Sequence, residues 1–296
     1  MTLETTGTLP VTELAAGAIR HHYDVGDEFF RLWLDSSLTY SCALRETAGD
    51  TLEAAQERKL QYHLDAIDAT DAEAVLDIGC GWGALLRRLT GTHRVQRAVG
   101  LTLSERQAAY VAAEDYPGVE VLLESWTDYE PDTRFDGIVS IGAFEHFARP
   151  DDSPEEKIGV YRHFFTRCRE WLTPAGALSL QTIAYANMSR DDASSFMQQE
   201  IFPDADLPTL AEITAAADGL FEVRSMHNAR LDYAWTCEQW ARRLRARREV
   251  AVALVGSEVV ARYERYLKLS ALGFRMGKIG LLRLVLVPYA NGHFTR

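Results

Sequence analysis

Cysteine is scarce in this chain of 296 residues: Cys42, Cys80, Cys168 and Cys237, with no CxxC spacing. That excludes a zinc knuckle and a dithiol redox motif. Scattered thiols fit a reducing compartment, so the expected location is the cytoplasm. Long apolar runs are also missing. The longest candidate, Ile279 to Tyr289, is broken by Gly280, Arg283 and Pro288, which excludes a spanning helix there. The first twenty residues carry Glu4 and Glu13 and no continuous apolar core, so no signal peptide is expected. Positive charge is in deficit, with 31 Lys and Arg against 43 Asp and Glu and a net charge of -12. Bulk electrostatics therefore argue against nucleic acid as a partner, and membrane contact is at most peripheral. The local exception is Arg242-Arg243-Leu244-Arg245-Ala246-Arg247-Arg248. It reads either as the solvated face of a helix or as a dock for an anionic carrier, headgroup or phosphate.

What is present is a core-forming composition, 47% hydrophobic and 25% charged, enough for a sizeable α/β domain. Apolar strand-like runs begin at Val75, Val95, Val119, Phe135 and Ala177, and helical periodicity separates them. That alternation predicts a mostly parallel, doubly wound, Rossmann-like sheet. The expected organisation has four parts. Residues 1–70 are a tail and helices over a ligand site, and 71–184 the core sheet domain. Residues 185–220 form a helical cap, and 221–296 complete the sheet. One helix is expected from Lys157 to Leu172, ended by Pro174 and Gly176, and one or two over 234–270.

The most specific local signal is Val75-Leu76-Asp77-Ile78-Gly79-Cys80-Gly81-Trp82-Gly83. A buried strand runs into a turn with glycine at every second position, and a helix follows. Such a turn lets backbone approach a ligand at the carboxyl edge of a sheet. The spacing is not the G-x-G-x-x-G of dinucleotide sites, and no G-K-[ST] follows for a phosphate loop. It resembles the first motif of class I S-adenosylmethionine-dependent methyltransferases.

Further stretches make the resemblance more specific. They are His22-Tyr23-Asp24-Val25-Gly26-Asp27-Glu28-Phe29-Phe30, Leu38-Thr39-Tyr40-Ser41-Cys42-Ala43, Gly100-Leu101-Thr102-Leu103-Ser104-Glu105-Arg106-Gln107, and Ile138-Val139-Ser140-Ile141-Gly142-Ala143-Phe144-Glu145-His146-Phe147. Glu200-Ile201-Phe202-Pro203 and Tyr263-Glu264-Arg265-Tyr266-Leu267 add to them. Over about residues 20 to 287 the chain resembles the cyclopropane-fatty-acid synthase and mycolic acid cyclopropane synthase group, in its shorter, mycolate-type form.

The resemblance implies S-adenosylmethionine as cofactor, with S-adenosylhomocysteine as product. It implies cofactor contacts from Tyr40, Ser41, Asp77, Gly79, Gly81, Gly83, Leu101, Thr102, Gln107, Trp126, Thr127 and Ile141. Thr102 and Gln107 stand where many relatives use an acid for the ribose. Trp126 is expected beside the adenine, and Thr127 departs from the acid common at that position. Tyr40 and Ser41 are expected to close over the methionine end. The implied chemistry residues are Glu145, Tyr233, Cys42 and Gln181. In the family an alkene attacks the sulfonium methyl, and bicarbonate removes a proton from the resulting cation. Cys42 is expected to act through its backbone N–H.

Gln181 is the main departure: the family commonly has a histidine in a Leu-His-Thr-Ile context, and this chain reads Leu180-Gln181-Thr182-Ile183. An amide cannot become cationic, so the bicarbonate site is expected to be weakened, reshaped or absent. The expected substrate is apolar or lipid-like, a fatty acyl, isoprenoid or polyketide-like chain, with Phe196, Phe202, Met188 and Met197 suited to an apolar tunnel. No metal is implied, and self-association into a homo-oligomer stays open. So do two alternatives: N-, O- or C-methylation of a small natural product, and a binding module that kept the fold without catalysis.

Overall fold

The computed structural model describes residues 25–192 and 206–289. A short helix α1 (Asp27–Arg31) and helix α2 (Leu52–Ala66) precede the sheet. There follow β1 (Ala74–Ile78), α3 (Ala84–Gly91), β2 (Arg97–Thr102), α4 (Glu105–Ala113), β3 (Val119–Leu123) and β4 (Phe135–Ile141). A 3-10 turn over Phe144–His146 leads to α5 (Pro154–Trp171), β5 (Leu172–Tyr185), α6 (Leu210–Ala217) and β6 (Phe221–Asn228). The chain ends in α7 (Arg230–Ala246), α8 (Arg248–Val255), α9 (Ser257–Arg275) and β7 (Ile279–Pro288).

Among the described residues the strands form one sheet in the order β3-β2-β1-β4-β5-β7-β6. β7 runs antiparallel to both neighbours and the remaining pairs are parallel. The expected Rossmann-like architecture is therefore present, with one reversed strand inserted near an edge. The order turns back between β1 and β4, where ligands bind in such sheets.

Local chemistry sets the element ends. Ser153 and Glu156 form a reciprocal capping box, and Pro154 occupies the first turn of α5, where a missing N–H costs nothing. Thr51 and Ser104 cap α2 and α4 by accepting backbone N–H groups. α5 ends at Trp171 without help from Pro174 and Gly176, both of which lie inside β5. Residues 230–275 form three helices rather than one or two.

Apolar side chains on one sheet face, including Leu76, Ile138, Leu180 and Leu284, pack with Phe164 and Phe165 of α5 and Ile213 of α6. The other face carries Val75, Val139 and Ala177 against Leu60 and Leu64 of α2. A third cluster joins α1 to α7 and α9 through Phe29, Phe30, Trp33, Trp240 and Tyr263. Residues 206–209 cross the carboxyl end of β5, where Tyr185 N donates to Pro208 O at 2.8 Å. α6, placed in the cap by the sequence pattern, packs instead on α5 and β6. Phe196, Met197, Phe202 and the stretches His22-Tyr23-Asp24 and Glu200 to Pro203 lie outside the described residues.

Candidate active site

β1 delivers the chain to Gly79, Gly81 and Gly83, with φ of +85°, +56° and +74°. Side chains with a Cβ are strained in that region. The N–H groups of Gly79 and Cys80 both donate to Leu101 O, at 2.9 and 3.0 Å, which ties the loop to the end of β2. A Cβ on Gly79 would stand 2.6 Å from that of Ala143, and one on Gly83 2.9 Å from Val111. One on Gly81 would meet nothing within 4 Å. The loop is thus packed tightly beneath and open at its crest. Asp77, at the end of β1, is buried, and burial pushes its carboxyl up to about 7.

A strap over residues 25–43 closes one side. Trp82 Nε1 donates to Asp27 Oδ1 at 3.1 Å, and the Trp82 and Phe30 rings lie 5.1 Å apart. Arg87 Nη2 donates to Ser37 O at 3.2 Å. Tyr40 turns its ring between Trp33 and Trp240 and its hydroxyl to Tyr266. Ser41 faces α2 instead. Its hydroxyl oxygen accepts from Lys59 Nζ at 2.9 Å, and Gln56 Nε2 donates to Ser41 O at 2.9 Å. Both α2 side chains are buried.

At the end of β2, Thr102 Oγ1 donates to Gln107 Oε1 at 2.8 Å and accepts from Ser104 N. Both neutral side chains are buried. Trp126 is buried against Phe147, His163 and Phe164, with ring separations of 5.1, 5.4 and 5.4 Å. Thr127 pairs its hydroxyl with that of Ser125. Ile141, the last residue of β4, is half-buried.

The next turn presents Glu145. Gly142 N donates to Gln181 O at 2.9 Å, fixing the turn to β5. Glu145 Oε2 accepts from Thr182 Oγ1 at 2.9 Å and Oε1 from Ile183 N at 3.4 Å. Burial pushes its carboxyl up to about 7. The carboxyl is held in place yet carries little net stabilisation as an anion. Tyr233 of α7 stacks on Phe274 at 4.5 Å. Burial, with Tyr266, Cys237, Cys42 and Glu145 as acidic neighbours, raises its hydroxyl well above the usual range. It stays neutral and offers a ring and an O–H.

On the α2 side of the sheet, Gln181 Oε1 accepts from Arg283 Nε at 2.8 Å. The two stand opposite each other in the β5–β7 ladder. Arg283 also donates through Nη2 to Ala43 O at 3.1 Å and reaches Cys42 Sγ at 3.5 Å. Its nearest carboxylate is Asp232, 3.6 Å from Nη1, and Nη1 makes no hydrogen bond among the described residues. Burial pushes the Cys42 thiol up to about 12, so this thiol is not a nucleophile at neutral pH. His63 bonds Ser179 Oγ through Nδ1, and burial lowers its pKa well below the usual value, leaving it neutral.

The structure therefore joins Cys42 and Gln181 through Arg283, and Glu145 to β5 through Thr182 and Ile183. Sequence patterning does not single out Gln56, Lys59, His63 or Arg283. Arg283 carried one signal, a charge in the middle of an apolar strand, and the three α2 residues share one face at helical spacing.

A family model described as mycolic acid cyclopropane synthetase matches residues 12–284. The chain belongs to this family. Cyclopropane mycolic acid synthase 3 of Mycobacterium tuberculosis is 37% identical over 279 residues, 88% of this chain and 93% of that protein. The solved cyclopropane synthase MmaA2 from Mycobacterium tuberculosis superposes with a TM-score of 0.82 at 34% identity, covering 93% of this chain and 98% of that one. A mycolic acid cyclopropane synthase CmaA1 complexed with SAH and CTAB gives 0.81 at 33% identity, with the same coverages. Within this cyclopropane synthetase frame, Gln181 of β5 and Arg283 of β7 pair side by side across the sheet.

Proposed function

We propose that this chain is an S-adenosylmethionine-dependent methyltransferase that adds a methyl or methylene group to carbon at a C=C bond of an apolar, unsaturated substrate. The observation that carries this reading is the buried Glu145 carboxyl, fixed on Thr182 and Ile183 within the neighbourhood of Tyr233. The open crest at Gly81, the neutral Thr102–Gln107 pair and the buried Ser41 suit an adenosyl amino acid. Family membership supports the same cofactor, and SAH and CTAB in a related synthase support a lipid-like acceptor.

Bound S-adenosylmethionine supplies an electrophilic methyl on a sulfonium. As alkene electrons form the new C–C bond, the methyl–sulfur bond would break with S-adenosylhomocysteine as the leaving group, and a cation would develop on the neighbouring carbon. Glu145, when ionised, sets a negative charge in the neighbourhood of Tyr233, whose ring offers an aromatic face. Both side chains are buried, which keeps away water that would capture the cation. Arg283 keeps a fixed positive charge beside Gln181 and Cys42, suited to retaining a small anion such as bicarbonate as the proton acceptor. All four cysteines are free and buried, which fits work in the cytoplasm. Among the described residues no helix is long and apolar enough to cross a membrane.

The neutral Gln181 favours a second reading, methylation of nitrogen, oxygen or carbon in a small natural product. Incubation with methyl-labelled cofactor and a panel of unsaturated lipids, amines and phenols separates the two. Label in a lipid, followed by product NMR, supports the first. Label confined to amines or phenols overturns it.

A further inference from the structure

Lys59 is the most deeply buried ammonium among the described residues, 1% exposed. No carboxylate among those residues lies within salt-bridge distance of it, whereas the other buried lysine, Lys157, pairs with Asp206 at 2.7 Å. Its hydrogen bond goes to Ser41 Oγ at 2.9 Å. A buried ammonium held by one neutral hydroxyl is costly unless an anion joins it. The neighbouring groups are unsatisfied in a complementary way. Ser41 is 6% exposed, and its oxygen already accepts from Lys59, so its own O–H is free to donate. Gln56, one turn earlier on α2, uses Nε2 on the strap carbonyls of Thr39 and Ser41, while its Oε1 is buried without a hydrogen-bond partner among the described residues. One ammonium, one free O–H and one free amide oxygen match a zwitterion: donors for a carboxylate and an acceptor for an ammonium.

We infer that Lys59, acting with Ser41, is the charge that recognises the α-carboxylate of the cofactor's amino-acid end. Lys59 is a positioning and specificity residue; Ser41 donates to the carboxylate. The inference rests on the proposed use of S-adenosylmethionine and adds a residue and a selectivity to it. A carboxylate gives the Lys59 ammonium a directly bonded anion, which the more distant Asp35 and Asp77 do not supply, so cofactor lacking that group binds weakly.

Lys59 is also titratable in a useful range. Burial lowers it to about 8, against the opposing pull of Asp35, with Arg283 lowering it and Cys42 and Asp77 raising it. His63, on the next turn of α2, is neutral. Recognition of the carboxylate is therefore present below about pH 8 and fades as Lys59 loses its proton above it.

The test uses calorimetric binding of S-adenosylhomocysteine and of its decarboxylated analogue, which keeps the amine, thioether and adenosine. The intact protein is expected to prefer the carboxylate form by about tenfold or more, the range of a charge-assisted hydrogen bond. Lys59→Met and Ser41→Ala are expected to weaken the carboxylate form and leave the analogue within about twofold, so that the preference collapses. Ser41→Ala is the milder change and keeps the test alive if Lys59→Met fails to fold. The preference of the intact protein should shrink from pH 7 to pH 9, and that of Ser41→Ala should stay small throughout. Equal binding of both ligands by the intact protein overturns the inference and leaves the cofactor reading standing. So does an equal loss of both in the variants. Binding of neither ligand by the intact protein overturns the cofactor reading itself.

Discussion

Arg283 donates from Nε to Gln181 Oε1 at 2.8 Å, with both side chains buried and facing each other across β5 and β7. Gln181 alone suggested a pocket stripped of positive charge. The guanidinium restores that charge one side chain away, and unlike an imidazole it does not titrate. Arg283→Met is expected to lower turnover about tenfold or more and to flatten its response to added bicarbonate, a loss in the range of a charged hydrogen bond. Arg283→Lys keeps the charge without the planar fork and should recover part of the response. Rates measured in degassed buffer with bicarbonate titrated back decide this. An Arg283→Met enzyme that still responds like the parent would show that the anion is held elsewhere.

Glu145 makes the second prediction. Burial raises its carboxyl to about 7, so it is protonated below neutrality and gains its charge as pH rises through that value. If the carboxylate shields the developing cation, turnover should climb through about pH 7. Glu145→Gln should be slow and lack that limb, while binding S-adenosylhomocysteine within about twofold of the parent, because uniform cofactor binding is untouched. The amide still accepts from Thr182, so folding should survive. A variant with parental turnover removes Glu145 from the reaction.

Much of this frame was legible beforehand. β4 spans Phe135–Ile141 as its apolar run indicates, and the glycine turn, Thr102–Gln107 and Glu145 gather at the carboxyl edge of the sheet. Periodicity and turn chemistry are local, so they survive reading in one dimension. What was not legible depends on pairing between distant strands. Nothing near Gln181 in sequence announces that β7 arrives antiparallel and sets Arg283 opposite it. Pro174 misled for a related reason: next to a helix end it reads as a stop, yet here it lies inside the long strand β5. Lys59 was invisible because a lysine on an amphipathic helix ordinarily faces water.

Asp77 and Glu145 together predict how stability follows pH. Both folded-state values stand near 7, raised by burial, while unfolded carboxyls titrate near 4. Between those values the folded chain binds more protons than the unfolded one, so stability falls as pH rises. The contribution is full below about pH 4 and lost once pH passes about 7, at up to about 1.4 kcal/mol per pH unit for each group. Buried His63 and His146, whose values are lowered by burial, oppose this slope below about pH 6.5, where unfolded histidines titrate. Melting temperatures of the ligand-free protein should therefore decline chiefly between about pH 6.5 and 8, and Asp77→Asn should reduce that slope. A slope unchanged in Asp77→Asn would place the titrating group elsewhere.

The glycine loop separates stability from binding. Gly79 and Gly81 both have positive φ, but their surroundings differ. A Cβ at Gly79 would stand 2.6 Å from the Ala143 Cβ, two residues before Glu145, so either the loop or the turn that carries Glu145 must move. Backbone strain and that clash together predict a loss of about 2–4 kcal/mol for Gly79→Ala, read as a lower urea midpoint. Gly81→Ala meets nothing within 4 Å, so it bears only the left-handed strain of about 1 kcal/mol. Its methyl group projects into the space proposed for the cofactor. Gly81→Ala should therefore fold with a nearly parental midpoint and bind S-adenosylhomocysteine at least about tenfold more weakly, a close-approach penalty rather than a folding one. Parental binding by a folded Gly81→Ala would mean that no ligand approaches the crest of this loop.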